Sequence, residues 1–257
     1  MILTFDIGNT QLSGGVFDGD KLIFQFRRGT VPGTSSDELG VFLRLVLREN
    51  GIDPGQIREI ACCSVVPSMN YAASGACVKY FDREPLMIKA GIKTGLRIKY
   101  GNPKEIGADR IAAAVGALAL EPDSNIIVVD MGTATTVDVI SAEREYYGGA
   151  ILSGVNMSMH ALAAGTAQLP VVEIVVPEKP CGNSTAAAIQ SGLYYGTIGA
   201  LKELIKTFTE DVFAGQKPVV IGTGGVSHLF ENAGLFDRVV PCLVLSGLKK
   251  ALELNRQ

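Results

Sequence analysis

Two short stretches of this chain carry aspartate, glycine and hydroxyl side chains in the same order. Asp6-Ile7-Gly8-Asn9-Thr10 lies near the start. Asp130-Met131-Gly132-Thr133-Ala134-Thr135-Thr136 begins 124 residues later in a chain of 257, close to half its length. Each follows an apolar run, Met1-Ile2-Leu3-Thr4-Phe5 or Ile126-Ile127-Val128-Val129. A short β-branched run of this kind reads as a strand buried on both faces. The Asp at its carboxyl end then reaches the rim of a sheet, where it can hold a cation. The Gly lets the backbone approach a ligand closely. The N–H groups that follow, with Asn9, Thr10, Thr133, Thr135 and Thr136, can bond phosphate oxygens. Either stretch alone reads as a strand-ending turn. The pair reads as two loops that grip one polyphosphate from both sides.

This repeat resembles the paired phosphate loops of the acetate and sugar kinase, heat-shock and actin superfamily. Neither loop contains Lys or Arg, unlike a P-loop, whose Lys neutralises the phosphates. Charge compensation must then come from Mg²⁺ on ATP, with a second cation near Asp130. Gly222-Thr223-Gly224-Gly225 would let a flat adenine ring lie against its backbone and also reads as a glycine-rich strand-to-helix turn; the two readings are not exclusive.

Gly107-Ala108-Asp109-Arg110 places a carboxylate beside a guanidinium where a helix starts. Taken alone, Asp109 is a helix cap and Arg110 its solvated neighbour. Beside two phosphate loops, Asp109 can accept the proton of an attacking hydroxyl and Arg110 can hold an anionic oxygen bidentately. An Asp with a pKa near ~3.9 is ionised but weakly basic at neutral pH. A loose phosphoryl-transfer transition state needs little early proton removal, so positioning the hydroxyl is the greater part of that role.

The elements that must position these groups follow in order. Leu12 to Phe17 and Lys21 to Phe26 read as strands joined by the hairpin signal Asp18-Gly19-Asp20. A helix capped by Ser36 or Asp37 runs to about Asn50, with Leu39, Phe42, Leu43, Val46 and Leu47 as its apolar stripe. A strand from Glu59 to Val65, a helix from Pro67 to about Phe81 and a short strand at Leu86 to Ile88 follow. An Ala-rich helix from Gly107 ends near Leu120. The second half restarts with strands at Ile126 to Asp130, Thr136 to Ser141 and Tyr146 to Ile151. Helices from about Val155 to Ala164 and Asn183 to Ala214, strands at Val219 to Ile221 and Val239 to Val240, and a helix from Leu243 to Leu254 complete it. The expected fold is α/β: two ribonuclease-H-like, actin-like domains, 1–119 and 120–257, each a mixed five-stranded sheet with flanking helices. The halves are expected to pack directly, joined near Leu118 to Asn125, with a cleft between them.

Composition narrows the function classes. The chain is 47% hydrophobic and 19% charged, with 23 basic and 26 acidic residues and a net charge of −3. That describes a globular chain with ample core and no basic patch for nucleic acid. The five cysteines include no Cys-x-x-Cys pair, and the expectation is reduced thiols in a cytoplasmic protein. Cys62 and Cys63 read as small core hydrophobes. His160 and His228 lack metal-ligand spacing. The start has no basic segment of the kind a signal peptide carries, and no apolar run reaches membrane-spanning length.

A more specific resemblance comes from the ordered set. The two Asp-Gly loops, Tyr100-Gly101-Asn102-Pro103, Gly107-Ala108-Asp109-Arg110, Gly148-Gly149-Ala150-Ile151, Asn183-Ser184-Thr185 and Thr223-Gly224-Gly225 stand in the order seen in type III pantothenate kinases, across essentially the whole chain. The resemblance implies phosphorylation of pantothenate by ATP, the first step of coenzyme A synthesis. It implies that Asp6, Ile7, Gly8, Asn9, Thr10, Gln11, Leu12, Ser13 and Thr133 bind ATP, and that Asp109 is the proton acceptor. Tyr100, Gly107, Ala108, Asp109, Arg110 and Thr185 would contact pantothenate. Asp130 would bind a monovalent cation, K⁺ or NH₄⁺, and the enzyme would be a homodimer. As residue types alone, Tyr100 is a strand-end aromatic and Thr185 a helix cap. The chain departs from the family at Ser153-Gly154, where Pro-Gly is usual; losing Pro frees the φ angle of that residue and could loosen the start of the next helix. Two other readings stay open: a kinase or phosphatase of the same superfamily with another small substrate, and a nucleotide-sensing module without catalysis. The intact carboxylates at Asp6, Asp109 and Asp130 argue against the second.

Overall fold

A computed structural model describes residues 1–256. Its contacts divide the chain into two compact units. The first comprises Met1–Leu96, Gly101–Ala119 and the stretch from Leu243 onward; the second comprises Arg97–Tyr100 and Leu120–Cys242.

The first unit is built on strands β1 (Ile2–Ile7), β2 (Gln11–Asp18), β3 (Lys21–Gly29), β4 (Glu59–Ser64) and β5 (Leu86–Met87), in the order β3-β2-β1-β4-β5. The first three form an antiparallel meander, and β4 and β5 run parallel to β1. Alternation sorts the side chains. Leu3, Phe5, Ile7, Ile60 and Cys62 enter a core shared with helices α1 (Ser36–Glu49) and α2 (Asn70–Phe81). On the other face, helix α6 (Leu243–Leu254) packs over β1 and β4. The closing helix therefore belongs with the first sheet, although it follows the second in sequence. Helix α3 (Ala108–Leu120) lies against α6 at a close crossing. A Cβ on Gly247 would fall inside the carbonyl of Ala112, and one on Gly116 would stand 2.5 Å from the Leu243 oxygen.

The cap of α1 is Ser35, one residue before the expected Ser36 or Asp37. Its hydroxyl accepts from the Glu38 N–H at 3.2 Å, and the Glu38 carboxylate accepts from the Ser35 N–H at 2.8 Å. The spacing Ser-x-x-Glu closes a reciprocal capping box, which satisfies two backbone donors where a cap at Ser36 would satisfy one.

The second unit repeats the topology with β7 (Ile126–Met131), β8 (Ala134–Ile140), β9 (Glu145–Ser153), β10 (Val219–Thr223) and β11 (Arg238–Val239). With one more strand, β6 (Arg97–Ile98), the sheet has six strands rather than five, in the order β11-β10-β7-β8-β9-β6. The addition pairs parallel with Glu145 and Tyr146. Two residues without an apolar run leave no periodic signal, so the strand is legible only from its partner. Ile127, Val129, Met131, Val137 and Val139 face a core closed by α4 (Val155–Gly165) and the long α5 (Thr185–Phe213). No helix among the described residues is long and apolar enough to cross a membrane.

Candidate active site

Asp6 is the last side chain on its face of β1. The chain then turns at once: the Gly8 N–H donates to the Gln11 carbonyl at 3.0 Å, and Thr30 from β3's end donates through its hydroxyl to the Gly8 carbonyl at 2.7 Å. These bonds fix the turn, and Asn9, Thr10 and Gln11 stand exposed. Ile7 and Leu12, by contrast, are buried in the first unit's core. They hold the turn from below, so within Asp6 to Ser13 they are scaffold rather than surface.

β4 lies parallel to β1 with Asp6 opposite Cys63, and Val65 continues the pairing through its N–H to the Ile7 carbonyl at 3.0 Å. Both strands therefore end at one rim. Asp109 arrives at that rim from the first turn of α3. A Cβ added to Gly107 would fall inside the Asp109 carboxylate and 3.6 Å from Val65, so Gly107 is a position where the missing side chain makes room for the acid. Asp109 Oδ1 accepts the Arg110 N–H at 2.8 Å. Burial pushes the Asp109 carboxyl above the ordinary carboxylate range, and the Arg110 N–H and guanidinium pull it back only in part. The weak base expected from an ordinary aspartate is thus a stronger one here. Arg110 itself is buried. It is not the solvated neighbour that composition alone suggests.

Cys63 corrects another expectation. Cys62 does pack in the apolar core, but alternation turns Cys63 to the opposite face, where its thiol donates to Asp6 Oδ1 at 3.1 Å. Burial, then the charges of Asp6 and Asp109, push that thiol far up, so it stays protonated. The apolar tetrapeptide gives no local sign of this; the pairing of two strands ending at one rim sets Asp6 and Cys63 side by side.

In the second unit the corresponding turn follows β7. Gly132 donates to the Ala134 carbonyl at 3.0 Å, and Gly154 donates to the Thr133 carbonyl at 3.2 Å. Thr133 is exposed at the tip and Asp130 half-buried at the strand end. Gly224, at φ +89°, lies against the end of β7: a Cβ there would sit 2.5 Å from Asp130 Oδ1 and 2.6 Å from the Met131 backbone. Gly222 lies flat on the Phe236 ring, where a Cβ would be 2.7 Å away. Two glycines of the run expected to face adenine thus serve the protein's own packing, and Gly225 alone of these three faces open space.

At the start of α4, where the proline is absent, Ser153 bonds the Ser158 hydroxyl at 2.7 Å across the helix's first turn, and Gly154 serves as the N-cap residue while also seating the Thr133 turn. Tyr100 rests its ring on Gly148, which is at φ +90° and whose Cβ would be 2.5 Å from the ring. Thr185 is the exposed first residue of α5, and the cap is its neighbour Ser184, whose hydroxyl accepts from the Ala187 N–H at 3.2 Å. The structure thus brings Asp6, Cys63, Gly107 and Asp109 to one rim of the first unit. Asp130, Thr133, Tyr100 and Thr185 belong to the second.

The pattern of the type III pantothenate kinase family matches residues 2–207. A type III pantothenate kinase of Legionella pneumophila strain Corby is 52% identical over 99% of both chains. One from Elusimicrobium minutum is 49% identical over 100% of this chain and 99% of its own. The chain belongs to the type III pantothenate kinase family. Solved structures with the same fold are more distant. A Campylobacter jejuni protein assigned to a Baf family of transcriptional activators superposes with TM-score 0.58 at 19% identity, covering 98% of each chain. A Sinorhizobium meliloti protein assigned as a 2-dehydro-3-deoxygalactonokinase gives TM-score 0.58 at 13% identity, over 99% of this chain and 97% of its own. These likenesses bear on the fold alone, a duplicated ribonuclease-H-like architecture. For a kinase of this family, the donor set suits a divalent ion that arrives on nucleotide phosphates. Among the described residues no three or more His, Cys, Asp or Glu side chains converge as a metal cage. Mg²⁺ is ordinarily held by one or two carboxylates together with phosphate oxygens and water, which asks for no such cage.

Proposed function

We propose that this chain transfers the terminal phosphoryl group of ATP to the hydroxyl of pantothenate, the first step of coenzyme A synthesis. The observation that carries the reading is Asp109: a half-buried carboxylate of raised basicity, beside Arg110, at the rim where Asp6 ends its strand. Family membership supports the same assignment.

In this reading the exposed turn residues of Asp6 to Ser13, together with Thr133, hold the ATP phosphates through backbone N–H groups and hydroxyls. Mg²⁺ on the nucleotide, when bound, supplies the charge neutralisation that these lysine-free turns lack. Asp130 would hold a monovalent cation, K⁺ or NH₄⁺, with its carboxylate. Asp109 orients the pantothenate hydroxyl for in-line attack and accepts its proton as the new P–O bond forms. Arg110 pairs with the pantothenate carboxylate, a match of planar donors to planar acceptors. Tyr100 and Thr185 line the acceptor's place, with Gly107 and Ala108 as its backbone wall. Homodimerisation fits the apolar side chains left exposed on the second unit, among them Ile151, Met157, Leu162 and Tyr195. The cytoplasm is the compartment where such a kinase meets ATP.

Gly148→Ala tests the acceptor side. The residue's positive φ and its contact with Tyr100 mean that a methyl group must displace the ring. The expected result is a KM for pantothenate raised about tenfold with the KM for ATP unchanged, since only acceptor binding is altered. The function itself is tested with a panel of small hydroxylated acids and sugars, each offered with ATP and Mg²⁺. Pantothenate is expected to be phosphorylated far more efficiently than the rest. Preference for another acceptor would favour a different kinase of the superfamily, and nucleotide binding without turnover on any acceptor would favour a sensing module.

A further inference from the structure

We propose that Cys63 is a positioning residue, whose thiol fixes the Asp6 carboxylate in the orientation from which it meets Mg·ATP. The proposal rests on the phosphotransferase reading of the Asp6 turn. Three observations on the first unit support it. The register of the parallel pair sets Asp6 directly opposite Cys63. The Sγ–Oδ1 distance of 3.1 Å is within hydrogen-bond range for a thiol donor and a carboxylate acceptor. Cys63 is fully buried, whereas Asp6 is only half-buried at the strand end. The thiol thus meets the carboxylate from beneath the rim, and the partial exposure of Asp6 leaves it within reach of a ligand.

The chemistry of the thiol suits this task. A sulfur buried beside two carboxylates, Asp6 and Asp109, keeps its proton and donates its hydrogen bond to Asp6. It adds no charge to a site that must accept a polyanion. It is also apolar enough to be sealed completely beneath the rim, where a lysine or arginine would bring a charge needing its own partner. A carboxylate at a strand end has a broad terminal torsion, and a fixed donor narrows it. Asp6 is then set before the nucleotide arrives, so less ordering is needed on binding.

The test compares Cys63→Ala, which removes the donor, with Cys63→Ser, which keeps one. Binding of Mg·ATP is measured calorimetrically without pantothenate, together with melting temperature and steady-state constants. Cys63→Ala is expected to weaken Mg·ATP binding about tenfold, the scale of a lost hydrogen bond to a charged acceptor. Cys63→Ser should recover most of that loss. Pantothenate KM should stay within about twofold for both, because the acceptor's contacts are untouched. A second readout needs no ligand: the infrared S–H stretch of Cys63, isolated by difference against Cys63→Ala, should shift when Asp6 is replaced by Ala. If Cys63→Ala folds poorly, Cys63→Ser supplies the difference spectrum instead. Unchanged Mg·ATP affinity in Cys63→Ala, equal losses in Ala and Ser, or an S–H band indifferent to Asp6 would each overturn the proposal. Failure of the wild-type chain to phosphorylate pantothenate would overturn the functional reading instead, and the nucleotide-binding and infrared results would still decide the role of Cys63.

Discussion

Asp109→Asn is expected to lower kcat for pantothenate phosphorylation by about a thousandfold, the middle of the range for a positioned acid–base group. Substrate affinities should change little, because Asn keeps the shape and can still accept a hydrogen bond. The variant cannot take up the proton or carry the charge that orients the hydroxyl. The raised basicity of Asp109 adds a pH signature. The acid limb of the wild-type rate profile should lie above the ordinary carboxylate value of ~3.9, because the ionised form is the active one and burial disfavours it. The same shift fixes the sign of the stability effect. A carboxyl whose folded pKa is raised contributes stability that is full below its unfolded pKa and is lost as pH rises through the folded value. At neutral pH the charged Asp109 therefore stands at a cost to the fold. Asp109→Asn should melt no lower than wild type there, and any gain should shrink on acidification. Full activity in the variant would remove Asp109 from the mechanism. A large drop in melting temperature would show that it acts in the fold rather than in the reaction.

Gly247→Ala is expected to be among the most damaging single changes to stability. Helices α3 and α6 cross so closely that the added methyl group would occupy the Ala112 carbonyl's space, with the Gly116 nitrogen 2.9 Å away on the same side. Both obstacles are backbone, so a rotamer change cannot relieve them. The helices must separate, and both are embedded: Leu243, Leu248 and Ala251 of α6 and Ala112, Ala114 and Ala117 of α3 are completely buried. Overpacking of this kind costs about 3 kcal/mol. In a chain of this size that lowers the melting temperature by roughly 5–10 °C. Since α3 carries Asp109 in its first turn, activity should fall even at temperatures where the variant is folded. A melt matching wild type would mean the crossing is looser than the structure has it.

The sequence made the fold legible because its signals are local and repeated. Apolar runs ending in Asp mark β1 and β7, and the hairpin signal Asp18-Gly19-Asp20 marks the turn between β2 and β3. The Leu39, Phe42, Leu43, Val46 and Leu47 stripe marks α1. What escaped was set by pairing across the chain. β6 is two residues long and exists because β9 offers an edge. The return of α6 to the first sheet leaves no local trace, since its apolar face would suit either sheet. The candidate site divides the same way. Asp6, Asp109 and Asp130 are visible as residue types at strand and helix ends. Cys63 hides within an apolar tetrapeptide, and only the alternation of β4 against β1 turns it toward Asp6 while Cys62 enters the core. The raised basicity of Asp109 is equally invisible in sequence, because it comes from burial at the rim.

In the proposed function, turns half a chain apart act on one polyphosphate. Calorimetric titration of Mg·ATP against Asp6→Asn and Thr133→Val tests it most directly, one substitution in each turn. Each variant is expected to fold as wild type and to bind Mg·ATP about tenfold or more weakly, as expected for losing a bond to a charged ligand. Wild-type affinity in either variant would contradict the account, for it would mean that one turn alone holds the nucleotide.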